Sequence, residues 1–189
     1  MYYRVKIVIL GDEDVGKTSV IKRFTENVFP EEKPENPYKG MTIEKRIQIF
    51  ETPIVFEIVD FNYDPEVCCS EFYNARACIA IYDVTDPESL QNTRNYIGMA
   101  DRFSSEDLKK YICGNKSDLE RVVTDEEIEQ LFERINIDKF FEVSAKSSEG
   151  IDQMFLDIAY DICYEYEIEN QRWQKRNKKS KKDDKCVVV

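Results

Sequence analysis

The sequence predicts an α/β domain: a mostly parallel six-stranded sheet with one antiparallel strand and helices on both faces. Three observations point there. Short apolar runs alternate along the chain with longer amphipathic patterns, as the strand–helix units of a parallel sheet require. A glycine-bounded loop joins the first apolar run to the first helical pattern. The residues with chemical character fall just past the predicted strand ends, where open α/β sheets hold their ligands.

Val5–Leu10 is almost wholly apolar, as expected of a central strand covered on both faces. The helix that follows carries Val20, Ile21 and Phe24 at spacings of three and four. The segment from Val28 to Gly40 has three prolines, several glutamates and no periodicity, and reads as a long loop. Ile43, Ile47 and Ile49 with polar residues between them predict a half-exposed strand. Thr52-Pro53 predicts a turn, and Ile54–Val59 a strand that pairs back as an antiparallel hairpin. Asp60–Ser70 is irregular, with Asp64-Pro65 as a helix start. Ala77–Tyr82 is a buried strand. Asp86-Pro87 supplies an N-cap and a first-turn proline for a helix to about Phe103. Tyr111–Gly114 is a short strand. Thr124 to Glu127 forms a capping box ahead of Ile128, Leu131, Phe132 and Ile135. Phe140–Val143 is the last strand. The final helix shows one apolar stripe from Ile151 through Met154, Phe155, Ile158, Ala159 and Ile162 to Cys163.

The loop after the first strand reads Gly11-Asp12-Glu13-Asp14-Val15-Gly16-Lys17-Thr18, the spacing of a phosphate-binding loop. Its glycines let the backbone curl, so that the N–H groups of Asp14, Val15, Gly16, Lys17, Thr18 and Ser19 can converge on phosphate oxygens at a helix N-terminus. Lys17 is expected to reach the β- and γ-phosphates, and the Thr18 hydroxyl to ligate a magnesium ion. A chance match in a chain of this length is well under about 1%.

The 189 residues fit one domain with a short tail, expected as 1–171 and 172–189. The formal net charge of −11 argues against a general nucleic-acid binder. From Arg172 onward eight Lys/Arg face Asp183 and Asp184, a local +6 that leaves −17 on the rest (−11 − 6). A basic tail on an acidic body implies a partner of its own. The chain has no histidine, which excludes His-based catalysis, and its six scattered cysteines read as reduced thiols of a cytosolic protein. No apolar run approaches a membrane span, and the N-terminus lacks the pattern of a secretory signal.

Four further stations complete the picture. Asp60 ends the third strand, Asn115-Lys116-Ser117-Asp118 the fifth and Ser144-Ala145-Lys146 the sixth, while Thr42 ends the long loop. A carboxylate placed like Asp118 can accept from both the N1–H and the exocyclic amine of guanine. Adenine offers no such pair, so the unpaired carboxylate would disfavour ATP. Asn115 and Lys116 are expected to brace the neighbouring loops, with the lysine stem along the base. The Ala145 N–H is expected at the guanine carbonyl oxygen.

With these motifs in this order, the sequence resembles the Ras superfamily of small GTPases over residues from about 3 to 170, a P-loop NTPase G-domain. Its wording is most similar to the Rab branch in Lys6-Ile7-Val8-Ile9-Leu10-Gly11-Asp12, in Tyr82-Asp83-Val84-Thr85-Asp86-Pro87-Glu88-Ser89 and in Glu142-Val143-Ser144-Ala145-Lys146. The resemblance implies GTP and GDP with Mg2+, a monomer, and effector, exchange-factor and GTPase-activating partners. It also implies Phe29 stacked on guanine, Thr42 closing over magnesium and the γ-phosphate, and Asp60 holding magnesium through water. Lys17, Thr42 and the residue at position 64 would then serve hydrolysis.

Three departures stand out. The family's Asp-x-x-Gly-Gln motif reads Asp60-Phe61-Asn62-Tyr63-Asp64, so Tyr63 replaces the glycine at the γ-phosphate and Asp64 the water-orienting glutamine. Losing one well-placed catalytic group costs about 10²–10³ in rate. Glu13 and Asp14 stand where many members have small residues, and can crowd an incoming arginine finger worth about 10³–10⁵. The loop between Phe29 and Thr42 is longer than usual, with Pro30, Pro34 and Pro37.

The last four residues, Cys186-Val187-Val188-Val189, match a prenylation signal, and Lys175, Arg176, Lys178, Lys179, Lys181, Lys182 and Lys185 form the basic patch that helps one lipid chain hold an acidic membrane. The expectation is a prenyl-anchored switch on the cytoplasmic face of a membrane, in vesicle trafficking or signalling, with slow hydrolysis. Two alternatives stand beside it: a working GTPase whose water-positioning group comes from elsewhere, Glu66 being nearest, and a GTP-locked or nucleotide-independent adaptor on the same fold.

Overall fold

The computed structural model describes residues 3–30, 42–49, 52–61, 68–104 and 107–164. Within them, six strands form one sheet in the order β2-β3-β1-β4-β5-β6. The strands are β1 (Tyr3–Gly11), β2 (Thr42–Ile49), β3 (Thr52–Asp60), β4 (Ala75–Asp83), β5 (Lys109–Asn115) and β6 (Lys139–Glu142). Only the β2–β3 pair is antiparallel; β1 pairs in parallel with both β3 and β4, and β5 with β4 and β6. The predicted architecture is therefore the observed one. Because the chain leaves β1 toward β3 on one side and toward β4 on the other, the order reverses beside β1, which opens a crevice at its carboxyl end.

Helices cover both faces. On one, α1 (Lys17–Glu26) and α5, helical over residues 151–164, bury Val20, Ile21 and Phe24 with Ile151, Met154, Phe155 and Ile158 against Ile7, Ile9 and Phe56. Phe24 and Phe155 stack with ring centroids 3.8 Å apart, and Phe56 meets both edge-on, a geometry that aromatic quadrupoles favour. On the other face, α3 (Pro87–Phe103) and α4 (Asp125–Phe132) pack Leu90, Ile97, Ala100, Ile128 and Leu131 against Val8, Leu10, Cys78 and Ala80. A short helix, α2 (Cys68–Glu71), precedes β4.

The local signals behave as their physics requires. Asp86 caps α3 by accepting from the Glu88 N–H, with Pro87 in the first turn. Thr124 and Glu127 form the full capping box of α4. Thr52-Pro53 is the correction: both residues belong to β3, paired with Ile49 and Gln48, so the connection falls at 50–51. Pro53 is tolerated because it lies at the beginning of its strand, beyond the register with β1, which starts at Ile54. The helix start expected at Asp64-Pro65 lies outside the described residues, as does most of the long loop after Pro30. Cys78 and Cys113 are buried thiols outside any disulfide, and burial pushes the Cys78 thiol up to about 12. Among the described residues, no helix is long and apolar enough to cross a membrane.

Candidate functional site

At the carboxyl end of β1 the chain turns sharply into α1. Gly11 has φ of 143°, and a Cβ there would overlap the Ile81 carbonyl of β4. Gly16 has φ of 93°, and a Cβ would collide with the Asn115 amide. Both glycines are thus required by close approach as well as by conformation. Asp14 also takes a left-handed backbone, φ 64°, and Glu13 and Asp14 are exposed at the loop's tip.

Lys17 opens α1 with its side chain buried. Its Nζ donates to the Gly11 carbonyl at 2.8 Å and to the Asp12 carbonyl at 2.6 Å. Burial holds its ammonium below the ordinary lysine range, against the pull of Asp60, Asp12, Glu13 and Asp14. An anionic ligand here would meet a cation that has already lost much of its water.

Next to it, the Thr18 hydroxyl donates to Asp60 Oδ2 at 2.6 Å, and Asp60, the last residue of β3, is buried. This juxtaposes one hydroxyl and one carboxylate. Among the described residues no group of three or more His, Cys, Asp or Glu could hold a metal. Two hard oxygen donors without a full cage fit magnesium, which keeps waters and shares its ligands with substrate phosphates. Thr42, the first residue of β2, is exposed and lies opposite Val59, one residue before Asp60. Phe29, just past α1, is also exposed.

The other end of the candidate site is assembled from two loops. Asn115, the last residue of β5, is buried; its Nδ2 donates to the Val15 carbonyl at 2.9 Å and its Oδ1 accepts from the Ala145 N–H at 3.1 Å. One amide therefore ties the phosphate loop to the loop after β6, as expected of Asn115. Ser144 donates to Asp118 Oδ1 at 2.6 Å and accepts from the Ser147 N–H. Lys146 lies 3.8 Å from Asp118 Oδ2. The Asp118 carboxylate is thus steadied at one oxygen by a hydroxyl.

Lys116 takes a left-handed backbone, φ 68°, and its Nζ pairs with Asp83 at 2.5 Å. Asp83 also accepts from the backbone and hydroxyl of Thr85. Burial alone would raise the Asp83 carboxyl, but Lys116 and Thr85 outweigh it and hold it below the usual carboxylate range. Sequence reasoning gave Asp83 no role. It also passed over Arg23, whose guanidinium leaves α1 to donate to the Ala145 carbonyl at 2.8 Å and the Lys146 carbonyl at 3.1 Å. A third omission is Asp12, whose carboxylate accepts from Asn92 and Tyr96 of α3. The only sequence signal for that contact is the four-residue spacing of Asn92 and Tyr96 on a helix.

Asn62, Tyr63, Asp64 and Glu66 lie outside the described residues, as does Cys186. Phe61 marks the last described point of that segment. It is buried, its N–H donates to the Ile9 carbonyl at 3.0 Å, and its ring lies 6.1 Å from that of Phe72.

With this geometry in hand, comparison with known proteins gives concordant findings. Residues 6–164 match the model of the Ras family. The Ras-related protein RABE1e of Arabidopsis thaliana is 30% identical over 169 residues, covering 85% of this chain and 75% of that protein. The human Ras-related protein Rab-12 is 30% identical over 85% of this chain and 67% of its own length. The Ras-related protein Rab-21 of Geodia cydonium is 32% identical over 84% of this chain and 71% of its own.

Proposed function

Because the chain belongs to the Ras family, with Rab-named relatives, we propose that it is a guanine-nucleotide switch whose substrate is GTP and whose hydrolysis is slow. The observation that carries this reading is the Asn115 bridge, one buried amide holding the phosphate loop and the Ala145 loop in a fixed relation. A phosphate cradle alone would serve many ligands. A cradle locked to a base site that ends in a Ser144-steadied carboxylate serves a guanine nucleotide.

The roles follow from the positions. The loop N–H groups from Asp14 to Ser19 and the Lys17 ammonium bind and orient the phosphates. Asp118 accepts from the guanine edge and Phe29 stacks on the ring, while the Ala145 N–H, expected at the guanine carbonyl oxygen, donates here to Asn115 Oδ1. Lys146 and Arg23 hold the loop that carries Ala145. Thr18, Thr42 and, through water, Asp60 would hold magnesium, which when bound neutralises phosphate charge and aligns the terminal phosphoryl group. Ordering of the segments around Thr42 and Asp60 by the γ-phosphate would be the readout for effectors.

Slow hydrolysis follows from residue types. Tyr63 stands where a glycine N–H would meet the γ-phosphate, and Asp64 brings a negative charge to the place of a neutral amide that would orient water. The loss of such a group costs about 10²–10³ in rate. Glu13 and Asp14, exposed at the tip of the loop, add bulk and charge where an activating arginine would approach. The basic tail and Cys186 would anchor the protein by a prenyl chain to the cytoplasmic face of a membrane, in vesicle trafficking or signalling.

The test is single-turnover hydrolysis of pre-loaded GTP with magnesium, followed to completion. Intact GTP after a day supports the slow switch. Conversion within minutes to hours removes slowness and leaves a timed switch. Failure to load any guanine nucleotide overturns the reading and favours a nucleotide-independent adaptor.

A further inference from the structure

We propose that Asp12 is a positioning residue for the phosphate-binding lysine, and that helix α3 sets its position through Asn92 and Tyr96. This rests on the reading of the site as a guanine-nucleotide site, and goes beyond it by coupling a helix outside the motifs to the phosphate end.

The contact is complete on both sides of the residue. Asp12 Oδ2 accepts from Asn92 Nδ2 at 2.8 Å, and Asp12 Oδ1 accepts from the Tyr96 hydroxyl at 2.8 Å. Asn92 and Tyr96 lie one helical turn apart, so a single face of α3 presents both donors. At the same residue, the Asp12 carbonyl accepts from Lys17 Nζ at 2.6 Å, with the Gly11 carbonyl accepting from that nitrogen at 2.8 Å. Asp12 thus joins α3, through its carboxylate, to the lysine ammonium, through its carbonyl.

The chemistry gives that junction a consequence. An ammonium has three donors. Two are committed to carbonyls at the loop's start, which leaves one for a ligand, and where it points depends on where those carbonyls sit. Gly11 is the last residue of β1, in register with Ile81 of β4, and Asp12 lies just beyond that ladder. The restraint on Asp12, past the end of the strand, comes from its carboxylate, held by hydrogen bonds of the charge-assisted kind. Helix α3 is itself seated by Leu90, Ile97 and Ala100 in the core, so the anchor is rigid. Removing the two donors leaves the site's composition intact but frees the carbonyl that aims Lys17. The effect falls on phosphates that Lys17 reaches, not on the base.

The experiment compares GDP with GMP, which lacks the β-phosphate, on the full chain carrying Asn92→Ala and Tyr96→Phe together. Dissociation constants for both nucleotides are measured with magnesium present. The clamp predicts a GDP affinity about tenfold weaker, equal to about 1.4 kcal/mol, with GMP changed by less than about twofold. Should the double variant fail to fold, Tyr96→Phe alone, which removes one hydroxyl, is read by the same GDP-to-GMP ratio. Equal losses for GDP and GMP mean that α3 acts only on stability, and overturn the proposal; so do unchanged constants for both. If the wild-type chain binds neither nucleotide, the guanine-nucleotide reading falls and the clamp falls with it.

Discussion

Asn115→Ala tests the geometry of the site most directly, because one side chain serves two loops. Asn115 is 2% exposed, and truncating it deprives the Val15 carbonyl of a donor at 2.9 Å and the Ala145 N–H of an acceptor at 3.1 Å. Val15 and Ala145 are buried as well. Leaving a buried polar group without its partner costs about 1–3 kcal/mol, so two give about 2–6 kcal/mol. Water entering the space of the lost amide can satisfy part of this, which places the expected loss at about 2–4 kcal/mol. For a domain of this size that is a fall in Tm of roughly 4–16 °C. Urea unfolding followed by far-UV circular dichroism, at one fixed GDP concentration, gives the difference from paired midpoints and slopes. Asn115→Asp is a second probe, since it keeps an acceptor for Ala145 but sets a carboxylate against the Val15 carbonyl, and it should destabilise as well. A loss below about 0.5 kcal/mol for Asn115→Ala, with an unchanged slope, would refute the bridge as a structural tie.

Three further outcomes are expected. Asp118→Asn replaces a charged acceptor by a group that offers a donor to the guanine amine, and GDP affinity should fall by at least about 10², measured by competition; an unchanged affinity would mean an empty pseudo-site. Cys186→Ser should move the protein from membrane pellets to the soluble fraction of cells, and continued sedimentation with membranes would sink the prenyl anchor. Asp83 is held below the usual carboxylate range, so its pair with Lys116 contributes stability above about pH 4 and loses it as pH falls through the lower folded value. The stability gap between wild type and Asp83→Asn should therefore shrink on acidification from pH 7 to pH 3, and a gap that widens would contradict the sign.

What could be read from the sequence was what is encoded locally. The Thr124–Glu127 capping box and the Asp86-Pro87 helix start each involve residues two or three apart, and both stand where the sequence put them. The stripe of α5 was legible because a helix repeats its buried face every three to four residues. Thr52-Pro53 misled because proline signals turns, whereas here it fits near the start of a strand beyond the neighbouring register. The motif residues were legible as types at spacings, yet their partners were not. Asp12 meets Asn92 and Tyr96 across 80 and 84 residues, and Arg23 meets Ala145 across 122. Beyond the helical spacing of Asn92 and Tyr96, a single sequence does not say which residue such a group meets; the sheet order that brings α1, α3 and the last loop to one rim does so.

The reach of Asn115 also governs how the protein comes into being on the ribosome. The phosphate loop emerges early, but its tie to Ala145 spans residues 15 to 145. At a synthesis rate of about 5–20 residues per second, roughly 7 to 26 s pass between the appearance of the loop and that of its last brace. Within that interval β4 arrives with Ile81 and then β5 with Asn115, against which Gly11 and Gly16 are fitted, so the supports of the loop are added in turn and the tie from Asn115 to Ala145 comes last. A chain arrested before residue 145 would carry the whole phosphate-loop sequence without the Ala145 N–H that Asn115 holds.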